Sequence, residues 1–178
     1  MLYCSIPIQH VRKIFVFLPD EKLRIMNKTK ISRLQEVFEI LENTQVCTLA
    51  MIDGEEPYAV PMNFGVDNGY IYFHGAPFGR KIDILQRNPL VTAVFYSDAL
   101  LHVRHEQVAC SYSMKYKSVI VNGNIQFVDD PDEKQGALNS VMKKFSDRGS
   151  FKYNAPALHN VNVFKLKIEN FTAFKRGY

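Results

Sequence analysis

The chain has no tryptophan and only three cysteines in 178 residues. Cys4, Cys47 and Cys110 lie far apart, are odd in number and form no C-x-x-C pair, which speaks against a disulfide framework and for a reduced, cytoplasmic setting. No apolar run approaches the roughly 20 residues that cross a bilayer, so no membrane partner is expected. The net charge of +4 comes without a Lys/Arg stripe, which argues against nucleic acid. Nucleophile elbow, Walker loop, dinucleotide fingerprint and zinc motif are all missing, as are internal repeats and low-complexity linkers. The sequons at 27–29 and 170–172 carry no weight without a secretion signal.

What remains is an ordinary globular composition, 47% hydrophobic and 22% charged, rich in Phe (13) and Tyr (9). It suits one domain, read as residues 26–178. Residues 1–25 read as a peripheral extension: "IFVFL" is too short for a signal core, and Met26 before "NKTK" resembles an alternative start. The other reading of this segment is a strand packed on the domain.

Leu34, Val37, Phe38 and Leu41 at helical spacing predict a helix over 32–43, with Ser32 and Gln35 as a capping box. "VCTLAMIDGEEPYAVPMNFGVDNGYIYFHG" predicts three strands joined by turns at "DGEEP" and "DNG". "LVTAVFY" (90–96) predicts a fourth, and 116–128 a long strand bent at "NGN". Asp130, Pro131 and the acids after them start a helix over 129–145, with Leu138, Val141, Met142 and Phe145 as its buried stripe. The alternation in 161–176 predicts one final half-buried strand. Strands dominate and helices fall at the edges, so the fold class is mainly β: an antiparallel β-barrel with peripheral helices.

The stretch "YFHGAPFGRKIDILQRNP" (72–89) poses the functional question. Arg80 and Lys81 stand at the start of a helix, where the helix dipole disfavours cations. A bound phosphate would reverse that, taking a guanidinium and an ammonium beside free N–H groups and a glycine-rich turn. The alternative is a pair of solvated surface cations. His74 ends the preceding strand, with an ordinary pKa suited to proton transfer; alternatively it only bonds the turn. "LHVRHEQVAC" (101–110) holds His102, His105, Glu106 and Cys110, read as a solvated loop rather than a metal site. Cys47 is read as a buried hydrophobe.

"VPMNFGVDNGYIYFHGAPFGRKIDILQRNPLVTAVFY" and "ACSYSMKYKSVIVNGNIQFVDDPDEK" together resemble the pyridoxamine 5'-phosphate oxidase-like flavoproteins, closest to the nitroimidazole-resistance type, over roughly residues 30–175. The resemblance implies a six-stranded FMN-binding split barrel, with FMN at a homodimer interface. It implies that Arg80 and Lys81 hold the flavin phosphate, Lys81 being the firmer assignment. Val60, Pro61, Met62 and Asn63 would run along the ring. Phe73, His74 and Gly75 would meet the ribityl chain and ring, and Ser118 would approach from the later strand. His74 is the catalytic candidate. The implied activity is reduction of small (nitro)aromatic acceptors. A non-enzymatic flavin-binding protein is the first alternative. The second is a haem-binding split barrel, with His74, His102 or His105 on iron. Members of the flavoprotein family carry no histidine pair at the place of His102 and His105, a departure of this chain. The chain lacks the C-terminal signature of the true pyridoxamine phosphate oxidases.

Overall fold

A computed structural model describes residues 28–149 and 151–178. The extension at 1–25 lies outside the described residues.

In chain order the elements are β1 (Lys28–Lys30), α1 (Leu34–Glu42), β2 (Val46–Asp53), β3 (Glu56–Asp67), β4 (Tyr70–Gly75) and α2 (Arg80–Arg87). There follow β5 (Leu90–Val103), a 3-10 turn (Ala109–Ser111), β6 (Tyr112–Val128), α3 (Pro131–Met142), α4 (Ala155–His159), β7 (Asn162–Lys167) and β8 (Phe171–Arg176). All strand pairs are antiparallel, in the order β1-β8-β6-β5-β2-β3-β4-β7, and β7 also pairs with β6. That last pairing closes β6, β5, β2, β3, β4 and β7 into a six-stranded ring, the expected barrel. β8 and β1 extend the sheet beyond it, giving eight strands in all.

Closure is possible because β6 is long enough to serve two partners on one edge. Tyr116–Val121 pair with β8, and Ile125–Val128 pair with β7. The expected single last strand is therefore two. Their registers against β6 differ by one residue, and the chain turns at Ile168–Asn170, opposite the predicted bend at Asn122–Asn124. Gly123 leaves the room there: a Cβ would meet Leu166 at 3.0 Å. Alternation survives across the break because each half keeps one face on the core.

Phe64, Phe73, Phe95 and Phe164 fill the barrel, all fully buried. Phe64 meets Phe95 edge-on at 4.7 Å, and Phe73 stacks on Phe164 at 5.4 Å. Cys47 belongs to this core, and burial pushes its thiol up to about 12. Asn68 (φ 48°) and Gly69 (φ 78°) make the tight β3–β4 turn that "DNG" predicts. Asp130 caps α3 by accepting from the Glu133 N–H at 2.8 Å.

Three local expectations change. Helix α1 starts at Leu34 after Arg33, without a side-chain cap, so the Ser32 capping box does not form. Its buried face is Val37, Ile40 and Leu41, while Leu34 is exposed because Ile31, anchored through its N–H to the Ala173 carbonyl, already covers that end of the core. Helix α3 ends at Met142, which leaves Phe145 beyond it and exposed. Strand β5 runs on past a bulge between Ser97 and Leu100, so Leu101–Val103 are strand and only the rest of 101–110 is turn.

A candidate phosphate and cofactor site in the split of the barrel

The ring is closed unevenly. β3 and β4 pair only from Phe64↔Phe73 to the hairpin turn. Beyond Phe64, β3 pairs with β2, while His74 and Gly75 pair with β7 through Val163 and Asn162. The two strands part, and between them the first half of β3 presents an edge that β4 does not pair. A sheet edge of this kind offers backbone donors and acceptors to whatever lies beside it.

Helix α2 aims a side chain into that split. Gly79, at φ 115° and in a conformation glycine tolerates, turns the chain from β4 into the helix. Lys81 then reaches back over the barrel end. Its Nζ lies 3.1 Å from Met62 Sδ on the β3 side and 5.9 Å from the Phe164 ring on the β4–β7 side. Gly75 makes this approach possible, since a Cβ there would stand 3.0 Å from the ammonium. No carboxylate pairs with Lys81 among the described residues. Burial pushes its pKa below the ordinary lysine value.

His74 stands beside it, half-buried. Its Nδ1 is sealed from solvent and has no hydrogen-bond partner among the described residues. Burial, and secondarily the Lys81 charge, lower its pKa, so the imidazole is neutral at neutral pH. A half-buried cation with only a thioether and a ring for company, next to an orphaned imidazole nitrogen, is costly in isolation. Both costs fall if an anion with hydrogen-bonding groups occupies the split, so the residues present fit a phosphorylated cofactor.

Arg80 is used differently. Its Nε donates to Asp53 Oδ2 at 2.8 Å and its Nη2 to Glu56 Oε2 at 3.2 Å, with the guanidinium 4.6 Å above the Tyr58 ring. The adjacent cations thus diverge, one into the split and the other onto the β2–β3 hairpin. In the sequence "DGEEP" reads only as a turn, and nothing there marks Asp53. Asp53 lies 27 residues before Arg80 with β3 and β4 between them, so no local pattern links the two.

Of the remaining candidates, Val60 and Met62 face inward on β3, half-buried and buried, while Pro61 and Asn63 are exposed on the outer face. Phe73 is wholly buried against Phe164, so its backbone is what it can offer a ligand. Ser118 lies on β6, paired with Tyr96 and Phe174. In the strand order it is three strands from β3, roughly 14 Å across the sheet at the usual strand spacing. One chain does not bring Ser118 to Lys81. His102 is partly exposed on β5 and His105 exposed in the turn after it. The described residues contain no group of three or more His, Cys, Asp or Glu able to hold a metal ion. They also contain no helix long and apolar enough to cross a membrane.

A barrel parted between β3 and β4, with a basic helix start beneath the opening, defines a split-barrel protein. The sequence profile of the pyridoxamine 5'-phosphate oxidase family matches residues 33–175, and the chain belongs to that family. Among solved structures it is similar to a candidate 5-nitroimidazole antibiotic resistance protein from Bacteroides thetaiotaomicron, at 34% identity and a TM-score of 0.73, over 83% of this chain and 87% of that one. It shares its fold with a FAD and heme binding protein from Mycobacterium smegmatis (18% identity, TM-score 0.74, 85% and 74% covered). The flavocytochrome Anf3 from Azotobacter vinelandii is similar in the same way (18%, TM-score 0.72, 84% and 70% covered). No curated protein matches the chain.

Proposed function

We propose that the split binds FMN and that the chain is a cytoplasmic, homodimeric flavin-dependent oxidoreductase acting on small (nitro)aromatic acceptors. The observation that carries this reading is Lys81, a half-buried ammonium with no counter-ion among the described residues, set beside the buried His74 Nδ1, which has no partner among them either. The family and the 34%-identical relative support the cofactor class and the acceptor class.

Lys81 and the N–H groups of the first turn of α2 hold the phosphate, because helix N-termini favour anions. The free edge of β3 at Val60–Asn63 lies along the ring, and Gly75 gives the chain of the cofactor close access. Bound FMN supplies the electron transfer to the acceptor. The protein's part is to position the ring and exclude water, with the neutral His74 imidazole beside Lys81 as the candidate for proton exchange.

The homodimer rests on the outer face of the sheet. Two successive cross-strand rows there, beginning at Ala59 and Pro61, contain no charged side chain, and the next, through Tyr96, Ser118 and Phe174, reaches Lys30 at the β1 edge. Tyr96 (60% exposed) and Val46 (47%) stand open in the middle of it. A face this apolar on both sides of a sheet calls for a cover.

The test is to purify the chain, record its visible spectrum and mass in solution, and identify what acid releases. FMN at one per chain in a species of twice the chain mass supports the proposal. A Soret band, or a colourless monomer that takes up no added FMN, refutes it.

A further inference from the structure

We infer that Asp53 is a positioning residue for the phosphate end of the site and that Arg80 is its clamp rather than a phosphate ligand. This inference rests on the FMN reading above and extends it to residues outside the split.

Asp53 is the last residue of β2, and its two oxygens take the two ends of one helix. Oδ2 accepts from Arg80, the first residue of α2, and Oδ1 accepts from Arg87, the last, each at 2.8 Å. Glu56, opposite Asp53 in the β2–β3 register, takes the other end of the Arg80 guanidinium. Tyr58 supports its face. The hairpin so gripped continues into the free edge of β3, one wall of the split. The helix so gripped carries Lys81, which reaches back between the walls. The carboxylate therefore helps to set the distance between Lys81 and the β3 edge, which otherwise meet only through the Lys81 Nζ–Met62 Sδ contact at 3.1 Å.

The competing reading, that Arg80 itself binds the phosphate, requires it to leave both carboxylates. Asp53 would keep only Arg87, and Glu56 would lose its partner. Lys81 has no such bond to break. Two cations at a helix start repel one another, and the arrangement relieves this by neutralising one and leaving the other for the ligand.

The two readings predict opposite signs. Asp53→Asn loosens the clamp but frees Arg80. We compare the Kd of FMN with that of riboflavin, which has the same ring and no phosphate, in the unaltered protein and in Asp53→Asn. Glu56→Gln is the second variant, since Glu56 is 78% exposed at its side chain and its loss does not threaten folding. The expected result is a fall of about tenfold in the preference for FMN over riboflavin in Asp53→Asn, as for other residues that orient a ligand-holding group. Glu56→Gln should show a smaller fall in the same direction. Riboflavin affinity should stay within about twofold, which a general loss of structure would not allow. Stronger or unchanged preference for FMN in both variants overturns the clamp. If the unaltered protein binds FMN no better than riboflavin, the phosphate reading itself fails and the clamp with it.

Discussion

Replacing Lys81 by methionine removes one charge from the split and keeps an unbranched side chain. Two quantities should move in opposite directions. The ammonium is half-buried between Met62 and the Phe164 ring with no carboxylate to offset its desolvation. A methionine there should stabilise the cofactor-free protein by about 1 kcal/mol, a value already reduced because water still screens part of the group. For a chain of this size that is a rise of roughly 2–4 °C in Tm. The same change removes a charged hydrogen bond to the phosphate, worth about 1.5–3 kcal/mol, or roughly ten- to 150-fold in FMN Kd. Differential scanning fluorimetry on the cofactor-free protein and flavin fluorescence titration read the two effects separately. A lower Tm together with unchanged FMN affinity would show that Lys81 is a structural cation and would sink the site.

Lys144 should behave in the opposite way. Its ammonium is also half-buried, over the Phe64 ring, but it donates to the Leu41 and Thr44 carbonyls at the end of α1, the second at 2.7 Å. Lys144→Met should therefore cost about 1–3 kcal/mol at pH 7, seen in urea unfolding. Burial pulls the Lys144 pKa from 10.5 down to about 8, so between those values the unfolded chain holds the proton more tightly than the folded one. Native stability attributable to Lys144 thus rises with pH across that window and is lost as pH falls through about 8, by about 1–2 kcal/mol after allowing for partial exposure. The stability gap between the native chain and Lys144→Met should widen from pH 8 to 10, and a flat gap would contradict this. Gly65→Ala places a Cβ 2.4 Å from the backbone of Ser140 and Val141, so β3 and α3 must move apart. A loss of about 3 kcal/mol, read as a Tm lower by roughly 6–12 °C, is expected, and a neutral substitution would mean the two elements slide freely.

Much of the fold was legible because it depends on neighbours in sequence. Asn68–Gly69 dictate their turn by backbone preference, Asp130 bonds an N–H three residues on, and alternation marks the strands. The resemblance of roughly residues 30–175 to a flavoprotein family pointed to the right barrel. What could not be read locally depended on where edges meet. The alternation in 161–176 is the same for one strand or two, and only the second partner along β6 shows the break. The exposure of Leu34 follows from Ile31 covering the core ahead of it.

The same division holds at the site. The sequence by itself determined that Arg80 and Lys81 follow a glycine turn at a helix start, with His74 five residues before Gly79, and left open whether an anion or solvent meets them. Apart from the family resemblance, which favours Lys81, local pattern does not separate it from Arg80, because adjacent residues on a helix point about 100° apart and either direction is open. The tertiary structure decided between them. Folding brings Asp53 and Glu56, 27 and 24 residues away, under Arg80, and brings Met62 and Phe164 around Lys81. One cation is neutralised on the surface. The other is held where β3 and β4 part, because strand pairing ends there and a long side chain is what fills the gap.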